Sequence, residues 1–159
     1  MNDLDAMDLA LAEARKAGDD GDVPVGAVVT SRGDVVSAAG NRREATGDPT
    51  AHAEIIALRE AARTLGTWRL SDATLYVTLE PCPMCAGALV AARVARLVFA
   101  CADPKAGACG SLYNLCADPR LNHELEVVTG VREAEASQLL SSWFAQRRRK
   151  LAEGAAGNL

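Results

Sequence analysis

Residues 73–88 read ATLYVTLEPCPMCAGA. Residues 72–79, DATLYVTL, alternate and are rich in β-branched side chains, which predicts a strand. Pro81 then opens a helix to about Val94, because proline suits the first turn of a helix and no later one. A strand running straight into a helix is the building unit of an α/β protein. Downstream, residues 96–101 (RLVFAC) and 124–129 predict two more strands. A Gly-containing loop at 103–115, with room for a short helical turn, lies between them. A terminal helix follows at 132–153. Upstream, residues 3–18 carry Leu4, Met7, Leu11 and Ala14 at helical spacing. Residues 24–31 and 35–40 form a hairpin around Arg32-Gly33-Asp34. Residues 41–49 read as polar loop, and a helix over 50–65 presents Ile55, Leu58, Ala62 and Leu65. Strands separated by helices need crossovers, so the fold expected is a mixed five-stranded sheet covered on both faces.

The bulk numbers agree with a single domain over residues 1–159, with a frayed Gly/Ala tail at 154–159. The chain is 49% hydrophobic and 24% charged, as globular domains are. No apolar run approaches the roughly 18 residues of a membrane helix. The acidic start, MNDLD, is unlike a secretory signal, so a cytoplasmic location with reduced thiols is expected. Five cysteines, an odd number, argue against a disulfide framework. The net charge of −4 hides an asymmetry. Residues 1–22 balance to −5, whereas residues 143–159, with Arg147, Arg148, Arg149 and Lys150, balance to +3. A local basic patch serves a polyanion even on an acidic chain.

Two short motifs carry the chemistry. One is His52-Ala53-Glu54 and the other Pro81-Cys82-Pro83-Met84-Cys85, each at the start of a predicted helix. Cys82 and Cys85 lie one helical turn apart on one face. The positive end of a helix favours thiolate, the form that binds metal. With His52 they make a His/Cys/Cys set for zinc, which leaves the fourth tetrahedral position to water, as catalytic zinc sites do. Glu54 sits beside the ligand histidine, unable to join the metal without distorting the first turn. It is placed instead to take a proton from a metal-activated water. Alone, Cys-x-x-Cys also fits a redox pair, or half of a structural zinc site completed by Cys101, Cys109 and Cys116. The joint pattern His-x-Glu with Pro-Cys-x-x-Cys is the signature of zinc-dependent nucleobase deaminases.

The chain also resembles a family. VPVGAVV (23–29), DPTAHAEI (48–55), ATLYVTLEPCPMCAGA (73–88), FACADPKAGACGSL (99–112), LNHELEVVTGV (121–131) and LLSSWFAQRRRK (139–150) are similar to the bacterial tRNA-specific adenosine deaminases of the cytidine/deoxycytidylate deaminase superfamily. The resemblance spans about residues 5 to 150. It implies a cytidine-deaminase-like three-layer α/β/α sandwich, one Zn2+ per subunit and a homodimer. It implies conversion of adenosine to inosine at the wobble position of a tRNA anticodon, with Glu54 as proton shuttle. The substrate contacts it implies are Asn41, Asp103, Lys105, Phe144, Arg147 and Arg148, reaching the anticodon stem-loop.

Each of these contacts also has a bland reading. Asn41 suits a turn, Asp103 and Lys105 a solvated loop, and Trp143-Phe144 with the arginines a packed, solvated helix. Met84 reads as packing, Cys101, Cys109 and Cys116 as small buried residues, and His123 as a hydrogen-bonding structural residue. Two rival functions share the motifs: a deaminase of a free nucleobase or nucleoside of guanine or cytosine type, and a non-catalytic zinc module with a fourth protein ligand.

Overall fold

The structure, a computed structural model, describes residues 1–157, with side chains to 155. Helix α1 (Asp3–Asp19) leads into the hairpin β1 (Gly26–Ser31) and β2 (Asp34–Gly40). Then follow α2 (Arg43–Thr46), α3 (Ala53–Leu65), β3 (Ala73–Leu79), α4 (Pro83–Ala91) and β4 (Arg96–Cys101). A 3-10 turn (Leu115–Ala117), β5 (Glu126–Thr129) and α5 (Glu133–Gly157) complete the chain.

The five strands form one sheet in the order β2-β1-β3-β4-β5. β1 pairs antiparallel with β2 and β3, while β3, β4 and β5 run parallel. The two-residue side-chain period of each strand sorts the core into two layers. Leu75, Val77, Leu97 and Phe99 face α3 and α4. Tyr76, Val98 and Ala100 face α1 and α5. Such continuous apolar runs are what strands buried on both faces require. The expected three-layer sandwich with a mixed five-stranded sheet is therefore the fold.

Gly26 lets α1 pack close, since a Cβ there would drive into the Ala10 carbonyl. Asp3 pins the same helix across the sheet. Its carboxylate accepts from both terminal nitrogens of Arg96, at 2.8 and 2.7 Å, and from the Tyr76 hydroxyl at 2.9 Å.

Several boundaries differ from the expected ones. The segment 41–49 is not all loop, because α2 forms one turn within it. α3 starts at Ala53 rather than Thr50, because Asp48 accepts from the Thr50 amide and hydroxyl and closes a turn ahead of the helix. α4 starts at Pro83 rather than Pro81 and stops at Ala91. α5 does not end at 153: it runs to Gly157, carried by Ala152, Ala155 and Ala156 across Gly154. The helix boundary expected at 153 thus moves to 157, and the remainder of the tail, 158–159, lies outside the described residues.

Candidate metal centre and active-site pocket

Two helix starts meet on one side of the sheet. His52 is the N-cap of α3 and Cys82 the N-cap of α4, both in extended backbone. Neither side chain caps its own helix, which leaves imidazole and sulfur free for other work. The task of capping α3 falls to Asn41, whose Oδ1 accepts from the Ala53 amide at 2.9 Å. Its Nδ2 donates to the Val23 carbonyl at 3.1 Å. Pro83, at the first turn of α4, has no amide hydrogen to satisfy.

His52 turns Nδ1 toward both sulfurs, 3.7 Å from Cys82 Sγ and 3.5 Å from Cys85 Sγ. Tetrahedral zinc bonds of about 2.1 Å to nitrogen and 2.3 Å to sulfur put the two ligand atoms about 3.6 Å apart, so the donor set fits that ion. Among the described residues, no other group of three His, Cys, Asp or Glu converges in this way. Cys101 Sγ instead donates to the Thr78 carbonyl, and Cys109 and Cys116 contact each other. All three are buried, and none serves as the fourth ligand that a purely structural zinc site requires. His123 bonds the Val94 carbonyl at 2.7 Å, the structural part expected of it.

In the bare protein these donors share protons. Cys82 is lowered to about 4, chiefly because the Cys85 thiol donates to it and then because His52 does. Cys85 is pushed up by holding that shared proton and by burial. His52 is raised by its bond to Cys82. The set is thus poised to supply thiolate, with protons to release when metal binds.

Beside the donors lies a pocket of about 170 Å³. Asn41, Glu54 and Asp103 line it with His52 and Cys82. Glu54 is only 4% exposed, and burial pushes its carboxyl above the ordinary carboxylate range. Asp103 Oδ1 accepts from the Lys105 and Ala106 amides at 3.0 and 3.2 Å, so this carboxylate also shapes its own loop. Lys105 is exposed and does not line the pocket. Phe144, Arg147 and Arg148 lie elsewhere: they are exposed on α5, which packs on the face of the sheet opposite α3 and α4. Arg147 stacks over Trp143 at 5.1 Å and lines a separate groove of about 520 Å³ with Arg15 and Lys150. Met84, expected to pack inward, is 37% exposed.

Two residues that line the pocket, and one that supports the first of them, escaped the sequence reading. Arg43 lines it from α2. Asp22, 2% exposed, holds that arginine and α2 in place by accepting from Arg43 Nη2 (3.5 Å) and the Glu44 amide (2.9 Å). These contacts span some twenty residues, and no local motif announces them. Glu80 is the third, 3% exposed and bonded entirely to the loop after β4. Its one sequence signal is an acid at the end of an apolar strand. Burial alone would raise its carboxyl, but the Ser111 hydroxyl and three backbone amides hold it below the usual range.

The chain matches the MafB19-like deaminase family over residues 1–148. It is 51% identical to the tRNA-specific adenosine deaminase of Bacillus subtilis over 141 residues, covering 89% of this chain and 88% of that one. A solved structure from work on A-to-I editing by tRNA:A34 deaminases at the wobble position superposes with a TM-score of 0.83. It is 46% identical and covers 86% of this chain and 99% of its own. The guanine deaminase of Nitrosomonas europaea shares the fold at a TM-score of 0.77 and 29% identity, covering 89% of this chain and 84% of its own.

Proposed function

The chain belongs to the tRNA-specific adenosine deaminases, within the MafB19-like deaminase family, and from that premise we propose that it converts adenosine to inosine at the wobble position of a tRNA anticodon. The observation that carries the reading is the convergence of His52, Cys82 and Cys85 on a pocket walled by buried Glu54. The substrate follows from the relatives: identity to those named for tRNA deamination reaches 51% and 46%, against 29% and 36% to the guanine deaminases of Nitrosomonas europaea and Bacillus subtilis.

His52 Nδ1, Cys82 Sγ and Cys85 Sγ would hold one zinc ion per subunit. When bound, zinc supplies a water acidified to a pKa of about 7. The target base is flipped from its loop into the pocket, as enzymes of this class require. Glu54 takes one proton from the attacking water and delivers it to N1 of the ring as the oxygen bonds to C6. It then takes the remaining hydroxyl proton and passes it to the amine, so that the C6–N bond breaks, ammonia leaves and the C6 carbonyl forms. Asn41, fixed by its two backbone partners, presents its remaining N–H and lone pair to the nucleoside. Asp103 suits a ribose hydroxyl and Lys105 a phosphate. Phe144, Arg147 and Arg148 take the flanking stem and loop, reached by wrapping the RNA around the molecule toward α5.

A second copy of the chain completes the unit. An apolar groove of about 410 Å³ runs between α3 and α4, lined by Leu58, Ala62, Leu70 and Ala88. Trp68 stands at it 60% exposed. A surface of that kind marks an interface, and a homodimer of single-domain subunits would cover it. Sedimentation of the wild type against Trp68→Glu tests this: dimer for the first and monomer for the second. No helix among the described residues is long and apolar enough to cross a membrane, and a tRNA substrate supports a cytoplasmic location. The reading as a whole is tested by treating total tRNA with pure protein and mapping inosine. Guanine or cytosine turnover without inosine would support the free-base alternative.

A further inference from the structure

We propose that Glu80 is a positioning residue. It registers the Asp103–Gly107 loop against the metal donors, and so governs substrate affinity rather than the chemical step. The inference rests on reading that loop as a substrate contact.

Glu80 occupies the joint between β3 and Cys82. A carboxylate buried to 3% exposure is costly unless its oxygens are satisfied. Among the described residues no cation pairs with it; the loop alone does this work. Oε1 accepts from the Asp103 amide at 3.1 Å and from the Ser111 hydroxyl. Oε2 accepts from the Cys109 and Ser111 amides, each at 3.0 Å. These amides belong to a segment with little regular structure, which gives Glu80 the part of a template. Gly107 lies against the carboxylate so closely that any Cβ would collide with it.

The neighbouring backbone closes the joint. The Glu80 amide donates to the Cys101 carbonyl at 2.9 Å, and the Ala108 amide donates to the Pro81 carbonyl at 2.8 Å. The two residues ahead of ligand Cys82 are therefore bonded to both ends of the stretch that carries Asp103 and Lys105. Glu80, Asp103 and Ala106 line the same pocket as His52 and Glu54. The backbone bonds anchor the ends of the loop, and the Glu80 side chain sets the register of the residues between them against the metal donors.

Glu80→Gln tests this with little change of shape. Whichever way the amide turns, its NH2 faces at least one backbone amide that needs an acceptor. KM for an anticodon stem-loop should rise about tenfold, with kcat held within about threefold. Zinc content should stay at the wild-type level, and amide exchange should quicken at residues 103–111 rather than across the sheet. Gly107→Ala, acting from the other side of the joint, should give the same signature. The double variant should be no worse than the worse single one, because both break the same interaction. Glu80→Asp should recover part of the affinity. A fall in kcat with KM unchanged, or loss of zinc, would overturn the proposal in favour of a metal-site role. Unchanged exchange at 103–111 would overturn it as well. If the wild type forms no inosine, the substrate reading fails separately, and loop exchange still decides whether Glu80 holds the loop.

Discussion

Replacing Glu54 with glutamine removes one ionisable oxygen from the pocket wall and little else. The side chain keeps its size, and the three metal donors keep their positions, since Glu54 is not among them. Two other carboxylates border the pocket, and neither can stand in. The oxygens of Glu80 are filled by four donors from the loop. Asp103 spends one oxygen on two amides of its own turn. The full worth of a positioned general acid/base should therefore be lost, about 10²- to 10⁴-fold in kcat, or roughly 3–5 kcal/mol of barrier. The assay is single-turnover inosine formation on an anticodon stem-loop, with metal analysis of the same preparation. Turnover within a few-fold of wild type would refute the assignment of proton transfer to Glu54. Loss of zinc would refute the separation of ligand and base.

Other expectations follow from neighbouring residues. Cys82→Ala should purify without bound zinc and without turnover, and a strong chelator should inactivate the wild type until zinc is restored; metal analysis checks both. Alanine at Arg147 and Arg148 should weaken stem-loop binding and flatten its salt dependence, by a slope of about 0.7 to 0.9 for each phosphate left without its arginine. Equal affinity at low and high salt would remove α5 from the RNA footprint. Asp3→Asn should cost about 1 kcal/mol at neutral pH, as a part-buried ion pair does. Arg96 first, and then Tyr76, holds the Asp3 carboxyl below its ordinary value against the opposing effect of burial. That contribution is complete above the ordinary aspartate pKa and is lost as pH falls through the folded-state value. Urea unfolding of the two proteins should thus differ near neutrality and converge in strong acid.

What can be read in the sequence is what is local. The β-branched and apolar runs at residues 73–79 and 96–101 announce strands because both faces of the sheet are buried, and His-x-Glu with Pro-Cys-x-x-Cys carries its own chemistry. What escapes depends on distant partners. α2 is a single turn, too short to hold by propensity. It is secured by Asp22, twenty-two residues before Glu44. Likewise, α3 is capped by Asn41 from across a loop, once the Asp48 turn has delayed its start to Ala53 although the residues before it invite an earlier one. Glu80 looks like an ordinary acid beside a motif, because its four donors lie 23 to 31 residues downstream. The sequence points Asn41 toward the substrate or a turn, and the fold gives it a further task as a helix cap.

The most direct test of the central claim is product analysis. Zinc-loaded protein is incubated with a stem-loop carrying adenosine at the first anticodon position, and the digested nucleosides are resolved by mass spectrometry. Inosine at that position with the wild type, and none with Glu54→Gln, is the result expected. Unchanged adenosine, with guanine converted to xanthine by the same preparation, would contradict it.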